Sequence, residues 1–529
     1  MRSLQRAAGL VSAATLVSRV LGLLRDAIRA ALLGADRLSD AVNVAFKVPN
    51  LLRDLFAEGA FSGAFVPTIA RAREKAGPAA AFQVLNRVLS TLLVYLGATV
   101  LLMIWFAPQI VRLLTAPEFG ADTAHFERTV LLVRLLAPFL LFISIAVAAM
   151  GALNVAGHYF LPALSPAAQN ALLVAGGLVL YFVAHLRQAE AAVPWALLLL
   201  GGGVLQFLVQ LPTLWREGWR PAFLPDLRMR TSETREILRR MLPVAGGLAA
   251  THVSILINTR LATADPGGQS NLDYAFRLIH LPVGLVGVAV GTVVLAEASR
   301  RAARREGGEV RRLLGEALRF SLALSAPACA GLAALGVPLA HMLFRWGETP
   351  LERATEIGVT IRYFAPAVIF YCAVKVVVPS FYAEGRVRVP LLASLTAVVA
   401  NVVAALSLYP LLRWRGLALA VGVGQAANLA VLLWASRRVH GPGSRGGRGG
   451  GAARILAAAA ICGCAAWGAS ELLPEGESAA LRLLRGLLPV VVGAVAYGAA
   501  GALVGSEVIL TLLRRGRAAP SLDRDAPRP

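Results

Sequence analysis

Long apolar stretches separated by short polar segments occupy most of the chain. No charged residue lies between Arg87 and Arg112, and none lies between Arg134 and Arg187. A helix that crosses a bilayer needs about 20 mostly apolar residues, so the second stretch has room for two spans around Pro162. The pattern predicts membrane spans at 8–33, 38–70, 82–107, 129–153, 159–186, 191–215, 236–262, 272–299, 317–344, 357–383, 389–412, 416–436, 453–470 and 483–512.

The composition agrees with a membrane protein. Hydrophobic residues make up 57% of the 529 residues, charged residues only 16%, and the mean hydropathy is +0.66. A soluble protein of this length would need more polar surface to cover its core. We therefore predict an all-α polytopic membrane protein with about fourteen transmembrane helices.

The net charge of +22 first suggests a nucleic-acid partner. However, no motif for binding RNA or DNA accompanies it, and the basic residues fall mainly in short loops between apolar stretches. That distribution is the positive-inside pattern of membrane proteins. It predicts a multi-pass protein of the cytoplasmic membrane with both termini in the cytoplasm, and it argues against nucleic acid as a partner.

The chain also contains a duplication. Short groups of residues recur at a nearly constant offset through several predicted spans, which isolated chance matches would not do. The matched groups include Ala45-Phe46-Lys47 with Ala275-Phe276-Arg277 at an offset of 230, Pro138 with Pro366 at 228, and Trp215 with Trp434 at 219.

The duplication predicts two six-helix lobes related by pseudo-twofold symmetry, followed by two extra C-terminal helices. Paired bundles of this kind place a substrate site near the membrane midplane, between the repeats. The inter-lobe loop and the Gly-rich linker are expected to be flexible. The predicted parts are a first lobe at 1–215, a cytoplasmic inter-lobe loop at 216–235, a second lobe at 236–437, a cytoplasmic linker at 438–453, two additional helices at 454–512 and a cytoplasmic tail at 513–529.

The first two predicted spans each carry charged and polar side chains along one face. A charge at the centre of a span costs roughly 2.5–3.5 kcal/mol, so intramembrane charges tend to be paired or functional. One interpretation is that acids such as Asp26 neutralise neighbouring arginines in structural ion pairs. The other is a hydrated, cationic cavity for an anionic headgroup, because a guanidinium donates two parallel hydrogen bonds to phosphate. The candidate residues are Ser18, Arg19, Arg25, Asp26, Arg29, Asp40, Asn43, Lys47, Asn50, Arg53, Asp54 and Glu58, with Arg277 and Lys375 from the second lobe.

No group of residues suggests an enzyme. Catalysis would need paired carboxylates, a Ser/His set or a metal cluster at a membrane face, and no nucleotide-binding motif is present. The four cysteines lie in apolar spans without the spacing of a zinc site. The sequence therefore predicts a transporter with no metal and no cofactor.

The segments Ser18–Ala35 (SRVLGLLRDAIRAALLGA) and Asp40–Pro67 (DAVNVAFKVPNLLRDLFAEGAFSGAFVP) resemble the lipid II flippases of bacterial peptidoglycan synthesis, the MurJ/MviN family. Tyr274–Val294 and Val374–Tyr382 are similar to its eighth and tenth spans. The resemblance implies the fold of the multidrug/oligosaccharidyl-lipid/polysaccharide exporter superfamily and a place in the bacterial inner membrane. It also implies lipid II as substrate, the bilayer and proteins of cell-wall synthesis or division as partners, and a role in cell shape. The implied ligands of the diphosphate are Arg19, Arg25, Arg53 and Arg277.

One departure from the family is Phe276, which stands where an acidic residue often precedes the eighth-span arginine. Two alternatives stay open at this point. A polysaccharide or drug exporter of the same superfamily is the first, although an exporter of cationic drugs should have an acidic cavity. A membrane glycosyltransferase is the second, and it would require an essential carboxylate with no role in transport.

Overall fold

The computed structural model describes residues 2–56, 59–303, 307–440, 450–474, 476, 478–506 and 508–510. Helices contain nearly all of these residues, and no β-strand occurs among them, which confirms the all-α prediction. The helices are α1 (Arg2–Leu33), α2 (Arg37–Phe56), α3 (Gly59–Trp105), α4 (Ala107–Leu114), α5 (Pro117–Gly120), α6 (Thr123–Leu136), α7 (Phe139–Val155), α8 (Phe160–Phe182), α9 (Gln188–Leu208), α10 (Leu211–Arg216), α11 (Ser232–Ala262), α12 (Gly268–Pro282), α13 (Val288–Ala303), α14 (Gly307–Phe344), α15 (Leu351–Phe364), α16 (Ala367–Ala383), α17 (Arg388–Leu412), α18 (Trp414–His440), α19 (Gly450–Glu471) and α20 (Ala479–Leu503).

Each of the fourteen predicted spans overlaps one or more of these helices, and α3 overlaps both the second and the third span. Within the described ranges, ten helical segments are long and apolar enough to cross a membrane, and some of them join consecutive helices, as α6 and α7 do. The number is eleven if the bent pair α15 and α16 forms one span. The first and seventh predicted spans lie within α1 and α11, and the second predicted span extends from α2 into α3. The protein is thus a multi-pass membrane protein, and the full number of fourteen spans remains a prediction.

Breaks within spans occur where the sequence removes backbone hydrogen bonds or needs unusual backbone angles. Pro138 separates α6 from α7, and Pro366 separates α15 from α16, where the chain bends by 47°. Proline lacks the N–H of the helical ladder and clashes with the preceding turn. These two prolines are members of one repeat pair, so both predicted copies break at the same place. In α3 the break is at Gly77, whose φ of 80° suits glycine.

The chain divides into two compact units. Unit 1 comprises Met1–Asp273 and Trp346–Arg353, and unit 2 comprises Tyr274–Arg345 and Ala354–Pro529. Helix α11 therefore packs with unit 1, whereas the repeat pattern assigns its sequence to the second lobe. The lobes are defined by sequence symmetry and the units by contacts, so the lobe boundaries stay a prediction. Residues 441–449 of the linker and all of the predicted tail lie outside the described residues.

The inter-lobe segment is an ordered strap, which we define as residues 217–231. The Trp219 indole donates a hydrogen bond to Asn86 Oδ1 of α3 at 2.8 Å, and the Tyr95 hydroxyl donates to the Leu227 carbonyl at 2.7 Å. The strap therefore follows α3 for more than two turns. This geometry differs from the flexible chain expected from sequence, because polar side chains of α3 satisfy the backbone of the strap.

A short segment of the chain fixes the C-terminal end of α1. This is Trp346–Arg353, which follows α14 and packs within unit 1. The Thr349 hydroxyl donates to the Ala30 carbonyl at 2.7 Å, and the Arg353 guanidinium pairs with the Asp36 carboxylate at 2.8 Å. The charged part of α1 is thus anchored at one end by a hydrogen bond and an ion pair.

Candidate functional site

Arg25 is held in place by two polar neighbours in unit 1. Its Nε and Nη2 donate to Asp26 Oδ1 at 3.0 and 2.9 Å, and its Nη1 donates to Asn170 Oδ1 at 3.0 Å. The side chain of Asp26 is only 4% exposed, whereas that of Arg25 is 15% exposed. The Asp26 carboxylate therefore compensates the charge of the Arg25 guanidinium, and Asn170 of α8 fixes the direction of that guanidinium.

Asn170 is a site residue that the sequence analysis missed. Its Nδ2 donates to the backbone carbonyl of Ser18 at 3.0 Å, so one amide side chain contacts α1 on both sides of Gly22. Asn170 also packs over Gly22, where a Cβ would lie 3.6 Å from Asn170 Nδ2, an ordinary van der Waals distance. The available signal was an amide within 52 consecutive uncharged residues.

A second run of polar contacts joins α1, α2 and α12. The Arg29 guanidinium donates to Asn43 Oδ1, and Asn43 Nδ2 donates to the Ser270 hydroxyl at 3.2 Å. One turn further along α2, Lys47 Nζ lies 3.6 Å from the Asp273 carboxylate. The predicted polar stripe of α2 therefore contacts acids and hydroxyls that the sequence analysis did not select.

Asp40 lies inside the protein and caps a helix. Its side chain is fully buried, Oδ2 accepts the Gly267 N–H at 2.8 Å, and Oδ1 accepts the N–H and hydroxyl of Ser270 at 2.7 and 2.6 Å. These donors belong to the N-terminus of α12, where backbone N–H groups lack partners within the helix and a negative charge is favourable. Asp40 therefore caps α12, and it is also a member of the predicted polar stripe of α2.

The other candidates of unit 1 are less enclosed. Arg19 lies on α1 and Arg53 in the last turn of α2, and both are half-buried, as are Ser18 and Asn50. The side chains of Asp54 and Glu58 lie outside the described residues.

Arg277 and Lys375 belong to unit 2, and both side chains are exposed. Arg277 lies on α12 directly after Phe276, which is 37% exposed. Lys375 lies on α16, which passes close to the π-helical turn Val283–Gly287, because a Cβ at Gly287 would lie 3.2 Å from Lys375 Cδ. The second copy thus supplies two accessible cations.

Basic side chains are concentrated around the polar stripes of α1 and α2 in unit 1. The described acids there are Asp26, Asp40 and Asp273, and the sequence adds Asp54 and Glu58 to the α2 stripe. These basic side chains suit a phosphate ester as ligand, because arginines bind phosphate oxygens through charge-assisted hydrogen bonds. Among the residues that the structure describes, no three His, Cys, Asp or Glu side chains lie together as metal ligands would. The cationic members of the group are Arg19, Arg25, Arg29, Lys47 and Arg53.

Sequence comparisons give a consistent result. A family model described as "Lipid II flippase MurJ" matches residues 29–483. The lipid II flippase MurJ of Burkholderia cenocepacia is 33% identical over 440 residues, which cover 82% of this chain and 84% of the relative. A probable lipid II flippase MurJ of Rhizobium meliloti is 34% identical over 533 residues and covers 97% of both chains.

Structural comparisons agree on the fold. A solved lipid II flippase MurJ in an inward closed conformation has a TM-score of 0.76 at 22% identity, covering 96% of this chain and 100% of the solved one. A multidrug resistance transporter of the MATE family in an inward-facing conformation has a TM-score of 0.65 at 16% identity, covering 80% and 94%. At these identities the likeness concerns the fold alone.

Proposed function

This chain belongs to the lipid II flippase MurJ family, and we propose that it moves the diphosphate-sugar headgroup of lipid II to the outer leaflet by alternating access. The chain is a lipid II flippase, which is a transporter. Its membrane is the bacterial inner membrane, where peptidoglycan precursors are made available for cell-wall synthesis. Proteins of cell-wall synthesis or division are proposed as further partners.

The observation that supports this function most strongly is the family match over 29–483, together with relatives above 30% identity along most of the chain. The transporters of the MATE family share the fold, but an exporter of cationic drugs would need acidic groups around its substrate. The polar stripes of unit 1 instead carry four arginines and a lysine, and arginine matches phosphate oxygens through two parallel hydrogen bonds. A flippase for an anionic lipid therefore agrees better with the side chains than a drug exporter or a glycosyltransferase.

We assign the diphosphate to four arginines. The diphosphate is the anionic part of the headgroup, and a guanidinium matches its oxygens through two parallel hydrogen bonds. Arg25 is already oriented by Asp26 and Asn170 in unit 1. The other members of the set are Arg19, Arg53 and Arg277.

Depletion of the protein in growing cells tests the function directly. Lipid II should then build up on the cytoplasmic leaflet, because its synthesis continues while its transfer stops. Re-expression of the wild-type chain should restore lipid II in the outer leaflet. An unchanged distribution of lipid II between the leaflets after depletion would contradict the proposed function.

The proposed orientation, with both termini cytoplasmic, makes a separate prediction. In a variant without the four native cysteines, Leu472→Cys should react with an impermeant thiol reagent in intact cells, whereas Phe223→Cys should react only after permeabilisation. Both positions are well exposed, at 87% and 67%. The opposite labelling pattern would reverse the topology, and labelling at both positions in intact cells would show that the orientation is mixed.

A further inference from the structure

The exposed face of α12 carries unusual side chains for a membrane span. Asp273, Phe276, Arg277 and His280 follow one another at helical spacing and are all exposed or half-buried. The following part of the same span instead exposes aliphatic side chains, as at Leu285, which is 68% exposed. A face with an acid, a cation and a histidine is unsuited to contact with lipid chains, so it belongs to a polar part of the protein.

Aromatic rings surround the exposed Phe276 within unit 2. The centroid of its ring lies 3.9 Å from that of His280, 5.8 Å from that of Phe364 and 6.5 Å from that of Tyr371. The ring centroids of His280 and Tyr371 are 5.4 Å apart, with an angle of 64° between the ring planes. Phe276, His280 and Tyr371 therefore form one aromatic surface on α12 and α16, which Phe364 supports from the buried side.

Hydrogen bonds orient two rings of this aromatic surface, those of His280 and Tyr371. The Nδ1–H of His280 donates to the Phe276 carbonyl at 3.1 Å, and the hydroxyl of Tyr371 is hydrogen-bonded to the side chain of Gln425. Rings that are already fixed lose little side-chain freedom when a ligand packs against them. The aromatic surface is therefore preorganised for a ligand that packs against it.

The first copy of the repeat uses the corresponding residue differently. Phe46 corresponds to Phe276, and its ring packs edge-on against Phe139 at 5.1 Å. The next residue, Lys47, is half-buried beside Asp273, whereas Arg277 is exposed beside its aromatic neighbour. The second copy therefore presents an aromatic surface and a cation together.

We propose that Phe276, His280 and Tyr371 bind a sugar ring of the lipid-linked headgroup, next to Arg277. This inference rests on the proposed function. The first sugar is bonded directly to the diphosphate, so a group beside a phosphate-binding arginine meets that sugar. The C–H faces of a pyranose are apolar and pack against aromatic rings, while its hydroxyls remain available to polar neighbours.

Two ligands separate a sugar contact from a phosphate contact. Binding of lipid II and of undecaprenyl diphosphate, which has the same tail and diphosphate but no sugar, is measured for wild type and Phe276→Ala. We expect Phe276→Ala to weaken lipid II binding about three- to tenfold, the range for loss of one aromatic stacking contact. Its binding of undecaprenyl diphosphate should stay within twofold of wild type.

Two further variants control for packing and folding. Phe276→Leu keeps most of the apolar volume without the ring, and it should show the same selective loss. Phe320→Ala removes an equally exposed phenylalanine, at 37%, from α14 of unit 2, and it should leave the ratio of the two affinities unchanged. Equal weakening of both ligands by Phe276→Ala would overturn the sugar contact and assign Phe276 to helix packing. A wild-type chain that binds neither lipid would overturn the proposed function itself.

Discussion

Replacing Arg277 by alanine should weaken the binding of lipid II by roughly ten- to a hundredfold, because a hydrogen bond to a charged group contributes about 1.5–3 kcal/mol. The melting temperature should change little, since this side chain is exposed. Arg277→Lys should restore part of the affinity, because an ammonium keeps the charge but loses the two parallel hydrogen bonds. Binding and thermal melting are measured on the same purified variants. Unchanged affinity in Arg277→Ala would remove Arg277 from the diphosphate site.

Arg25→Ala provides the informative comparison, because Arg25 is half-buried and hydrogen-bonded to the nearly buried Asp26. Without the guanidinium, the nearly buried Asp26 carboxylate loses its partner, which should lower the melting temperature as well as the affinity. The double variant Arg25→Ala/Asp26→Asn should recover stability but not affinity. If it recovers both, Arg25 stabilises the bundle and does not bind the substrate.

The sequence predicted the helical class well because the signal is strong and local. Long uncharged stretches such as 135–186 leave few alternatives to membrane helices. The less apolar spans were harder to classify. In α2, five of the twenty residues are charged and lower the hydropathy, so the residues that suggest a function also weaken the membrane signal.

Contacts between distant segments were not predictable from the sequence. Helix α11 packs with unit 1, and the strap at 217–231 follows α3 through side-chain hydrogen bonds such as that of Tyr95. Nothing in the local pattern of the strap indicates these partners, because the donors lie about 130 residues earlier. Its prolines and arginines are equally typical of a solvated loop.

The candidate site was predicted in part, on chemical grounds. A charge in a membrane span is costly enough to be noticed, so Arg25 and Lys47 stand out from the sequence. Their neutral partners do not, since amides and hydroxyls such as Asn170 are ordinary in a span. The partner of Arg25 on α8 is separated from it by 145 residues, and only the fold brings the two together.

The sequence around Asp40 fits two interpretations, since an acid on this helix face can line a cavity or cap a neighbouring helix. The polar stripe of α2 placed Asp40 among cavity residues, whereas the structure shows its carboxylate buried against the N-terminus of α12. A periodic pattern reports which face a residue lies on, but not whether that face meets water or another helix. In a membrane protein both environments select polar side chains.

Replacing Asp40 by alanine should therefore destabilise the protein strongly. The change removes the acceptor of two buried N–H groups, those of Gly267 and Ser270, and each unsatisfied donor costs about 1–3 kcal/mol. We expect a loss of roughly 2–5 kcal/mol, seen as a melting temperature several degrees lower in detergent.

The matched variants distinguish a capping role from a substrate role for Asp40. Ser270→Ala removes the hydroxyl that donates to Asp40 at 2.6 Å and accepts from Asn43 at 3.2 Å, but it leaves both N–H contacts, so it should cost about 1–2 kcal/mol. Asp40→Asn places an amide N–H₂ group against a backbone N–H donor, so it should lie between Ser270→Ala and Asp40→Ala. Any Asp40→Ala protein that remains folded should bind lipid II with nearly normal affinity, because the carboxylate faces a helix terminus. Normal melting with weakened binding would instead place Asp40 among the residues that contact the substrate.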